Sequence, residues 1–458
     1  MKNIYKIPKM IKNIVGEQQP KADVIYRPFF YTISYKVQDG MLIYHTLTKE
    51  LVFLDNDECA AFTKQAYHGD ETAKYLIEHY YLVSENNNDK EFMLNFNNTF
   101  FAIRNIYTAA KIDSLVIFTT SDCNARCFYC FEHGMRKVMM TEQTAHDVAD
   151  FIEKKCEKSV RIRWFGGEPL YNDKVIDIIS ADLKDKGISF RSSMVTNGYL
   201  FDDDIVERAV SLWNLERVQI TLDGTEKVYN RIKNYIYDDP NPFVRVLDNI
   251  ERLLKAKIAV QIRLNMDTHN ADDLKSLCEI LVSRFNKYQD CFIYVKLLYE
   301  NTNDAIQNRE AQERHILIEK SVDLQKFIDD NMPKIKVNTL PENRRLNFCM
   351  SDDDKSAMIF SDGSLGKCEH YTSEDFYGSI YTDKIDYRNL LYHKEMTTVV
   401  PECDDCAFRN ICMHPTCCEG HTETHCDDFD KMRIKIRFDS KMNNIYNKFK
   451  ETEELNKV

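Results

Sequence analysis

Cys123-Asn124-Ala125-Arg126-Cys127-Phe128-Tyr129-Cys130 puts three thiolates within eight residues, directly after the apolar, β-like stretch Leu115 to Thr120. Three close thiolates hold three corners of a 4Fe-4S cube and leave its fourth iron open to a ligand that is not protein. A closed structural site wants a fourth ligand nearby, and of the residues that follow only His133 is a soft donor. A zinc site borrowing His133 is the competing reading.

Around that run the middle of the chain reads as a βα repeat. Strands are expected at Leu115 to Thr120, Val160 to Phe165, Phe190 to Thr196, Val218 to Leu222, Ile258 to Asn265 and Phe292 to Leu298. Between them apolar residues recur at three- and four-residue spacing over Thr141 to Lys155, Lys174 to Lys184, Asp203 to Leu212, Phe243 to Lys255 and Asp272 to Phe285. Six βα units on right-handed crossovers predict an α/β fold, a partial parallel (β/α)6 barrel of TIM-like kind. Such barrels work at the carboxyl ends of their strands. Cys123 follows the first strand, Gly166-Gly167-Glu168-Pro169 the second, Asn197-Gly198 the third and Asp223-Gly224 the fourth. Gly-Gly, Asn-Gly and Asp-Gly are also ordinary turn dipeptides, and turn chemistry alone accounts for Asn197 and Asp223.

Composition limits the alternatives. With 458 residues, 43% hydrophobic and 29% charged, the chain has the make-up of a globular protein with room for two or three cores. No stretch approaches the roughly 18 apolar residues of a membrane span, and Met1 to Pro20 is too often broken by Lys, Asn and Pro to be a signal-peptide core. A cytoplasmic location is expected, with no membrane partner. Fifteen cysteines, clustered at short spacings in a chain this long, point to metal rather than disulfides. A net charge of −12 argues against a nucleic-acid partner, which wants a basic face.

The C-x3-C-x2-C spacing after a strand resembles the motif of the radical S-adenosylmethionine (SAM) superfamily, and Gly166-Gly167-Glu168-Pro169 resembles its GGEP segment. The resemblance implies that Cys123, Cys127 and Cys130 ligate a 4Fe-4S cluster and that Gly166 to Pro169 meets the methionine amino group of SAM. Glycine carbonyls can accept from an ammonium, and Glu168 adds a charge. It further implies that Tyr129 packs on adenine, that Ser192 and Asp223 contact ribose, and that Arg263 or Asn265 reaches the SAM carboxylate or ribose; Asn197 joins them as a cofactor-binding candidate. The chemistry implied is reductive cleavage of SAM to methionine and a 5′-deoxyadenosyl radical that abstracts an unactivated hydrogen, with a flavodoxin or ferredoxin as electron donor.

A second cysteine set follows: Cys349, Cys368, then Cys403-x2-Cys406-x5-Cys412-x4-Cys417, Cys418 and Cys426. Ala357 to Phe360 and Leu365 to Lys367 flank Asp362-Gly363, a hairpin signal that swings Cys349 toward Cys368. This resembles the SPASM extension of radical SAM enzymes, which implies two auxiliary 4Fe-4S clusters and three in all. Cys403, Cys406, Cys412 and Cys426 would close one, and Cys349, Cys368 and Cys417 would hold the other. Either Cys418 completes the second or its iron is open to a substrate thiolate. A pair of zinc ribbons is the competing reading. Glu369, directly after Cys368, stands where related anaerobic sulfatase maturases carry a catalytic Asp, and is the candidate base. Cys59, Cys156, Cys278 and Cys291 read as small buried hydrophobes.

The N-terminal region decides among substrate classes. Pro28 to Lys36, Met41 to Thr46 and Glu50 to Leu54 read as short antiparallel strands, with helical segments near Glu58 to Ala66 and Glu71 to Tyr81 and a polar break at Asn86 to Lys90. This order resembles the winged-helix element by which maturases of ribosomally made peptides take a leader peptide as an added strand; a plain capping subdomain has the same order. The organisation expected is a recognition domain at 1–110, the barrel at 111–300, a helical linker at 301–345 (a helix over Asp304 to Asp330), the SPASM domain at 346–430 and an amphipathic helical tail packed on the surface at 431–458. The reading is a maturase of a cysteine-containing precursor peptide, forming thioethers in preference to carbon-carbon crosslinks or epimers. An anaerobic sulfatase maturase making formylglycine and a non-enzymatic zinc-binding peptide scaffold are the alternatives. Iron and acid-labile sulfide in anaerobically purified protein exclude the scaffold; zinc in their place sinks the cluster reading.

Overall fold

The computed structural model describes the chain except residues 8, 17, 23, 108–110, 133, 135, 299–310, 334–349, 351–352, 354, 370–372, 391–402, 404, 413–427 and 456–458. Its centre is an open parallel sheet of β8 (Ile112–Thr120), β9 (Cys156–Gly166), β10 (Ser189–Thr196), β11 (Leu215–Leu222), β12 (Ala259–Met266) and β13 (Cys291–Leu297), neighbours in sequence order. All six expected strands are present, each starting or ending within a few residues of its expected bounds. Alternation explains this: in β9, Val160, Ile162 and Trp164 are buried under the helices, while Arg161 and Arg163 point to the other, open face.

The covering helices are Glu142–Lys155, Asp173–Asp185, Asp203–Ser211, Glu226–Lys233, Pro242–Lys255 and Ala271–Phe285. Caps fix several starts: Thr141 Oγ1 accepts from Thr144 N at 3.0 Å and Asp202 Oδ1 from Ile205 N at 2.8 Å. Glu226–Lys233 was not expected; it has only eight residues, too few for periodicity to register.

The sheet does not stop at β8. The expected hairpin exists as β14 (Ser356–Ile359) and β15 (Ser364–Gly366), and β14 pairs in parallel with β8, Met358 opposite Val116. The hairpin leading to Cys368 is thereby an extension of the barrel sheet, with Phe360 stacked on Phe118 at 4.7 Å between ring centroids.

The first 107 residues form two small sheets. One has the order β1 (Lys2–Tyr5), β5 (Leu51–Asp55), β4 (Gly40–His45), β3 (Thr32–Val37); the other has β2 (Ile25–Pro28) between β6 (Gln65–Ala66) and β7 (Leu82–Ser84). The expected strand from Pro28 to Lys36 is split, because Phe29 N–H turns away to the Tyr81 carbonyl at 2.9 Å. The helix expected over Glu58 to Ala66 shrinks to a single tight turn, Glu58–Ala61, before β6, while that at Glu71 is present as Glu71–Glu78. The polar break at Asn86 to Lys90 instead starts a 19-residue helix, Asp89–Tyr107, with Asp89 paired to Arg27 at 2.8 Å.

Helix Ala311–Asn331 follows the barrel; residues 304–310 of the expected linker helix lie outside the described residues. The charged tail is a 28-residue helix, Asp428–Leu455, and it packs on the N-terminal sheet: Phe438, Met442 and Ile445 are buried against Leu42, Tyr44, Leu51 and Phe53. Met442→Ala at this seam is expected to cost roughly 2–5 kcal/mol. Thermal unfolding should show a lowered midpoint and limited proteolysis an early loss of the N-terminal sheet; a midpoint unchanged from wild type refutes the seam.

Candidate active site

The loop after β8 carries Cys123, Cys127 and Cys130 and is pinned from two sides. Asp122 Oδ1 accepts from Cys123 N at 2.8 Å and pairs with Lys137 Nζ at 2.6 Å. Opposite, Arg126 N donates to the Lys233 carbonyl at 2.8 Å and Ile236 N to that of Asn124 at 2.9 Å. Cys130 N turns back onto the Cys127 carbonyl at 3.2 Å, which gathers the thiols on one loop. Burial pushes all three thiols up, Cys123 to about 12, so thiolates here want a cation.

Gly166 and Gly167 lie against this loop. Gly166 has φ +128°, and a Cβ on it would collide with the Thr120 carbonyl; a Cβ on Gly167 would strike the Asp122 carbonyl. Gly167 N donates to Thr120 O at 3.1 Å and Glu168 N to Asp122 O at 3.0 Å. The Glu168 carboxylate does not face open space as expected of a charge for SAM: it is fully buried and accepts from Thr196 Oγ1 at 2.7 Å, Asn197 N at 2.8 Å and Leu170 N at 3.1 Å. Burial pushes it up to about 7 in spite of those bonds. Pro169 begins the short turn that follows, Pro169–Asn172. Asn197 continues the clasp, donating from Nδ2 to Asn124 Oδ1 at 2.6 Å and toward Cys123 Sγ at 3.8 Å.

Asp223 is likewise turned inward. Its oxygens accept from Tyr129 OH at 2.8 and 3.0 Å, and Lys233 Nζ stands 2.9 Å from Oδ2 and 3.1 Å from the Tyr129 hydroxyl. Lys233 is 3% exposed; burial, the largest single influence, would lower its pKa, but Asp223, Tyr129, Cys127 and Tyr229 together outweigh that and hold it well above the ordinary lysine value. An Asp223 carboxylate buried beneath Tyr129 is not free for the ribose hydroxyls expected of it. Ser192 is also corrected: strand alternation turns it to the helical layer, where its hydroxyl donates to the Trp213 carbonyl at 2.7 Å. Arg263 and Asn265 do stand together on the open face, Arg263 Nε donating to Asn265 Oδ1 at 2.8 Å.

Of the second cysteine set, Cys349, Cys417, Cys418 and Cys426 lie outside the described residues, as does His133 of the first. Cys368 and Glu369 are half-buried after β15. Cys403, Cys406 and Cys412 share a run of tight turns, Cys406 N donating to Cys403 O at 3.2 Å and Cys412 N to Phe408 O at 2.9 Å. That run is docked on the N-terminal sheet: Lys49, 2% exposed, donates to the Asn410 carbonyl at 2.8 Å, and Phe408 and Ile411 pack beside the C-terminal helix. Cys156, Cys278 and Cys291 are buried and Cys59 half-buried.

Among the described residues no three His, Cys, Asp or Glu side chains converge tightly enough for a single metal ion. A 4Fe-4S cube takes one thiolate per iron and so spaces its ligands more widely. Two buried polar atoms beside the thiols lack partners, Asn124 Nδ2 and Glu132 Oε1, leaving a donor and an acceptor for a polar ligand. Burial pushes Glu132 up to about 7. The residues present fit a cluster with a polar cofactor on it. Asn124, Glu132 and Lys233 were missed in the sequence; the first two sit inside or beside the motif, but Lys233 is distant and carries no local signal.

Residues 117–281 match the Radical SAM superfamily. GTP 3′,8-cyclase of Clostridium perfringens (strain SM101 / Type A) is 24% identical over 304 residues, spanning 63% of this chain and 88% of that protein. The radical SAM cyclopropyl synthase TigE of Paramaledivibacter caminithermalis is 26% identical over 160 residues, 29% of this chain and 34% of that protein. Among solved structures, anSMEcpe with bound AdoMet superposes with a TM-score of 0.59 at 18% identity, over 73% of this chain and 98% of that one. Streptococcus suis SuiB bound to precursor peptide SuiA gives 0.50 at 16% identity, over 87% and 95%. At these identities the two structures establish the fold.

Lys233→Met is expected to destabilise the enzyme by roughly 3–5 kcal/mol, because it strands the Asp223 carboxylate without a cation. Calorimetry should show Lys233→Met/Asp223→Asn regaining part of that loss; a double variant no better than the single one refutes the pairing.

Proposed function

Because residues 117–281 form a radical SAM domain, we propose that this enzyme modifies a ribosomally made precursor peptide, with a thioether between a cysteine sulfur and a residue carbon as the favoured product. The observation that carries the reading is the docking of the Cys403–Cys412 turns on the N-terminal sheet through Lys49 and Asn410. A peptide held by that sheet sits on the same rigid unit as cysteines suited to an auxiliary cluster. The structural relatives support it: anSMEcpe has been seen with a Cp18Cys peptide and SuiB with the precursor peptide SuiA. A nucleotide substrate is the second reading, favoured by the match to GTP 3′,8-cyclase over 88% of that protein.

On this reading Cys123, Cys127 and Cys130 hold the SAM-binding cluster, and Cys349, Cys368, Cys403, Cys406, Cys412, Cys417 or Cys418, and Cys426 hold two auxiliary clusters, one with an exchangeable iron. The bound cluster and SAM supply a carbon radical that removes one hydrogen atom from the substrate. The chain's own residues position and shield. Gly166 and Gly167 bring backbone against the cluster loop, and Asp223 with Lys233 fixes the Tyr129 ring beside Cys127. Asn124 and Glu132 offer a donor and an acceptor to the polar part of SAM. Glu369, beside Cys368, is the candidate acceptor for a substrate proton. The N-terminal sheet takes the leader peptide, and a small electron-transfer protein such as a flavodoxin or ferredoxin supplies the electron.

Co-expression with a small cysteine-rich peptide encoded beside this gene, followed by alkylation and mass spectrometry, is the test. Each thioether replaces one S–H and one C–H bond, so the peptide should lose two hydrogen atoms per event and the cysteine should resist alkylation; Cys127→Ala should leave it untouched. An unmodified peptide together with turnover of GTP moves the assignment to the second reading. Anaerobically reconstituted protein should carry about twelve iron atoms per chain, and a Cys403→Ala/Cys406→Ala variant about eight. About four in the wild type would remove the auxiliary clusters.

A further inference from the structure

The open face of the sheet carries a basic floor that the cluster chemistry does not use. Arg163 and Arg217 flank Ser193 on one rung of β9, β10 and β11, and Arg161 and Arg191 pair on the rung below. Residues two apart on a strand share a face, so four guanidinium groups gather on three neighbouring strands. They line a cavity of about 810 Å³, bounded on its far side by Met350, Asp353 and Ser356, within the roughly 300–1,000 Å³ usual for ligand sites. Arg161 is paired with Asp113 at 2.9 Å and Arg191 stands 4.0 Å from Glu216. Arg163 and Arg217 have no hydrogen bond or ion pair among the described residues. This concentration of positive charge runs against a chain of net charge −12.

The rung above is apolar on β8, β9 and β10, with Phe118, Phe165 and Val195, and polar on β11 and β12, with Gln219 and Gln261. Phe118 meets Phe165 at 5.1 Å and stacks on Phe360 at 4.7 Å, a wall between the arginines and the strand ends that bear the cysteine loop. A ligand spanning both would place an apolar or aromatic group toward the cluster and an anion on the floor.

We infer that Arg163 and Arg217, with Arg161 and Arg191 below them, bind carboxylate side chains of an acidic segment in the peptide substrate. The word peptide rests on the proposed function; the anion site rests on the arginines. Carboxylate is favoured over phosphate by position. Dense phosphate sites use helix N-termini and packed backbone N–H groups. Here Arg191 and Arg217 lie in the first halves of β10 and β11, and Arg161 and Arg163 lie along the middle of β9; the crossover helices, antiparallel to the strands, present their C-termini at the strand starts, and that partial negative charge opposes a polyphosphate. Guanidinium forks spread over two rungs suit several separate carboxylates.

The test measures fluorescence anisotropy of labelled hexaglutamate and hexaglutamine on the anaerobic holoenzyme. Hexaglutamate is expected to bind more tightly, and the more so at low salt. Arg163→Gln/Arg217→Gln, at exposed positions without described partners, is expected to weaken hexaglutamate about tenfold while leaving hexaglutamine binding and the visible absorbance of the clusters unchanged. Equal binding of the two peptides, or no effect of the double variant, overturns the site. Displacement of the label more readily by tripolyphosphate than by unlabelled hexaglutamate overturns the carboxylate assignment. None of these readings needs turnover, so failure of the peptide-maturase reading shows separately, in the mass of the co-expressed peptide.

Discussion

One buried carboxylate ties the working end of the barrel together. Glu168 leaves the second strand, its amide holds the Asp122 carbonyl on the first, and its side chain takes a hydroxyl and an amide from Thr196 and Asn197 on the third. Three strand exits are thus fixed relative to one another by a single residue. Satisfied hydrogen bonds make such a group tolerable in a dry interior, and each donor removed would add to the cost of keeping it there. The cysteine loop depends on this clasp, because Gly166 and Gly167 can lie against Thr120 and Asp122 only while β8 and β9 keep their stagger.

A second inward pair does the same on the far side. Lys233 and Asp223 neutralise each other beneath Tyr129, so the ring's position is set by charge pairing as well as packing. The two networks embrace the loop from the second and third strands and from the fourth, and Asn197 Nδ2 reaches in toward Cys123 Sγ.

The barrel was legible in the sequence because its information is local. Strand alternation and helix caps mark each βα unit, and the cysteine, GGEP and hairpin segments announce themselves by spacing. Facing was harder to read. Ser192 turns to the helices and Ser193 to the open side, a difference of one residue that only the strand's register settles. Glu168 and Asp223 sit where a ligand is expected, yet their partners Thr196, Asn197 and Tyr129 are far away in sequence, and Lys233, though ten residues from Asp223, lies at the end of a short helix that gives no sign of facing it. The N-terminal region failed for another reason: its strands are short, and the Arg27–Asp89 pair and the Phe29–Tyr81 bond that shape it join residues more than fifty apart.

The seam between the Asp428–Leu455 helix and the N-terminal sheet sets an order on the birth of the protein. Leu42, Tyr44, Leu51 and Phe53 leave the ribosome long before Phe438, Met442 and Ile445, which cover them and follow only after the whole barrel has been made. Domains ordinarily settle as they emerge; this sheet must wait with a bare apolar face while the barrel is made. A ribosome that stalls between the barrel and the Asp428–Leu455 helix therefore releases a chain whose barrel is finished and whose sheet is still adhesive, and chaperones that shield nascent apolar surface are the natural custodians of that interval.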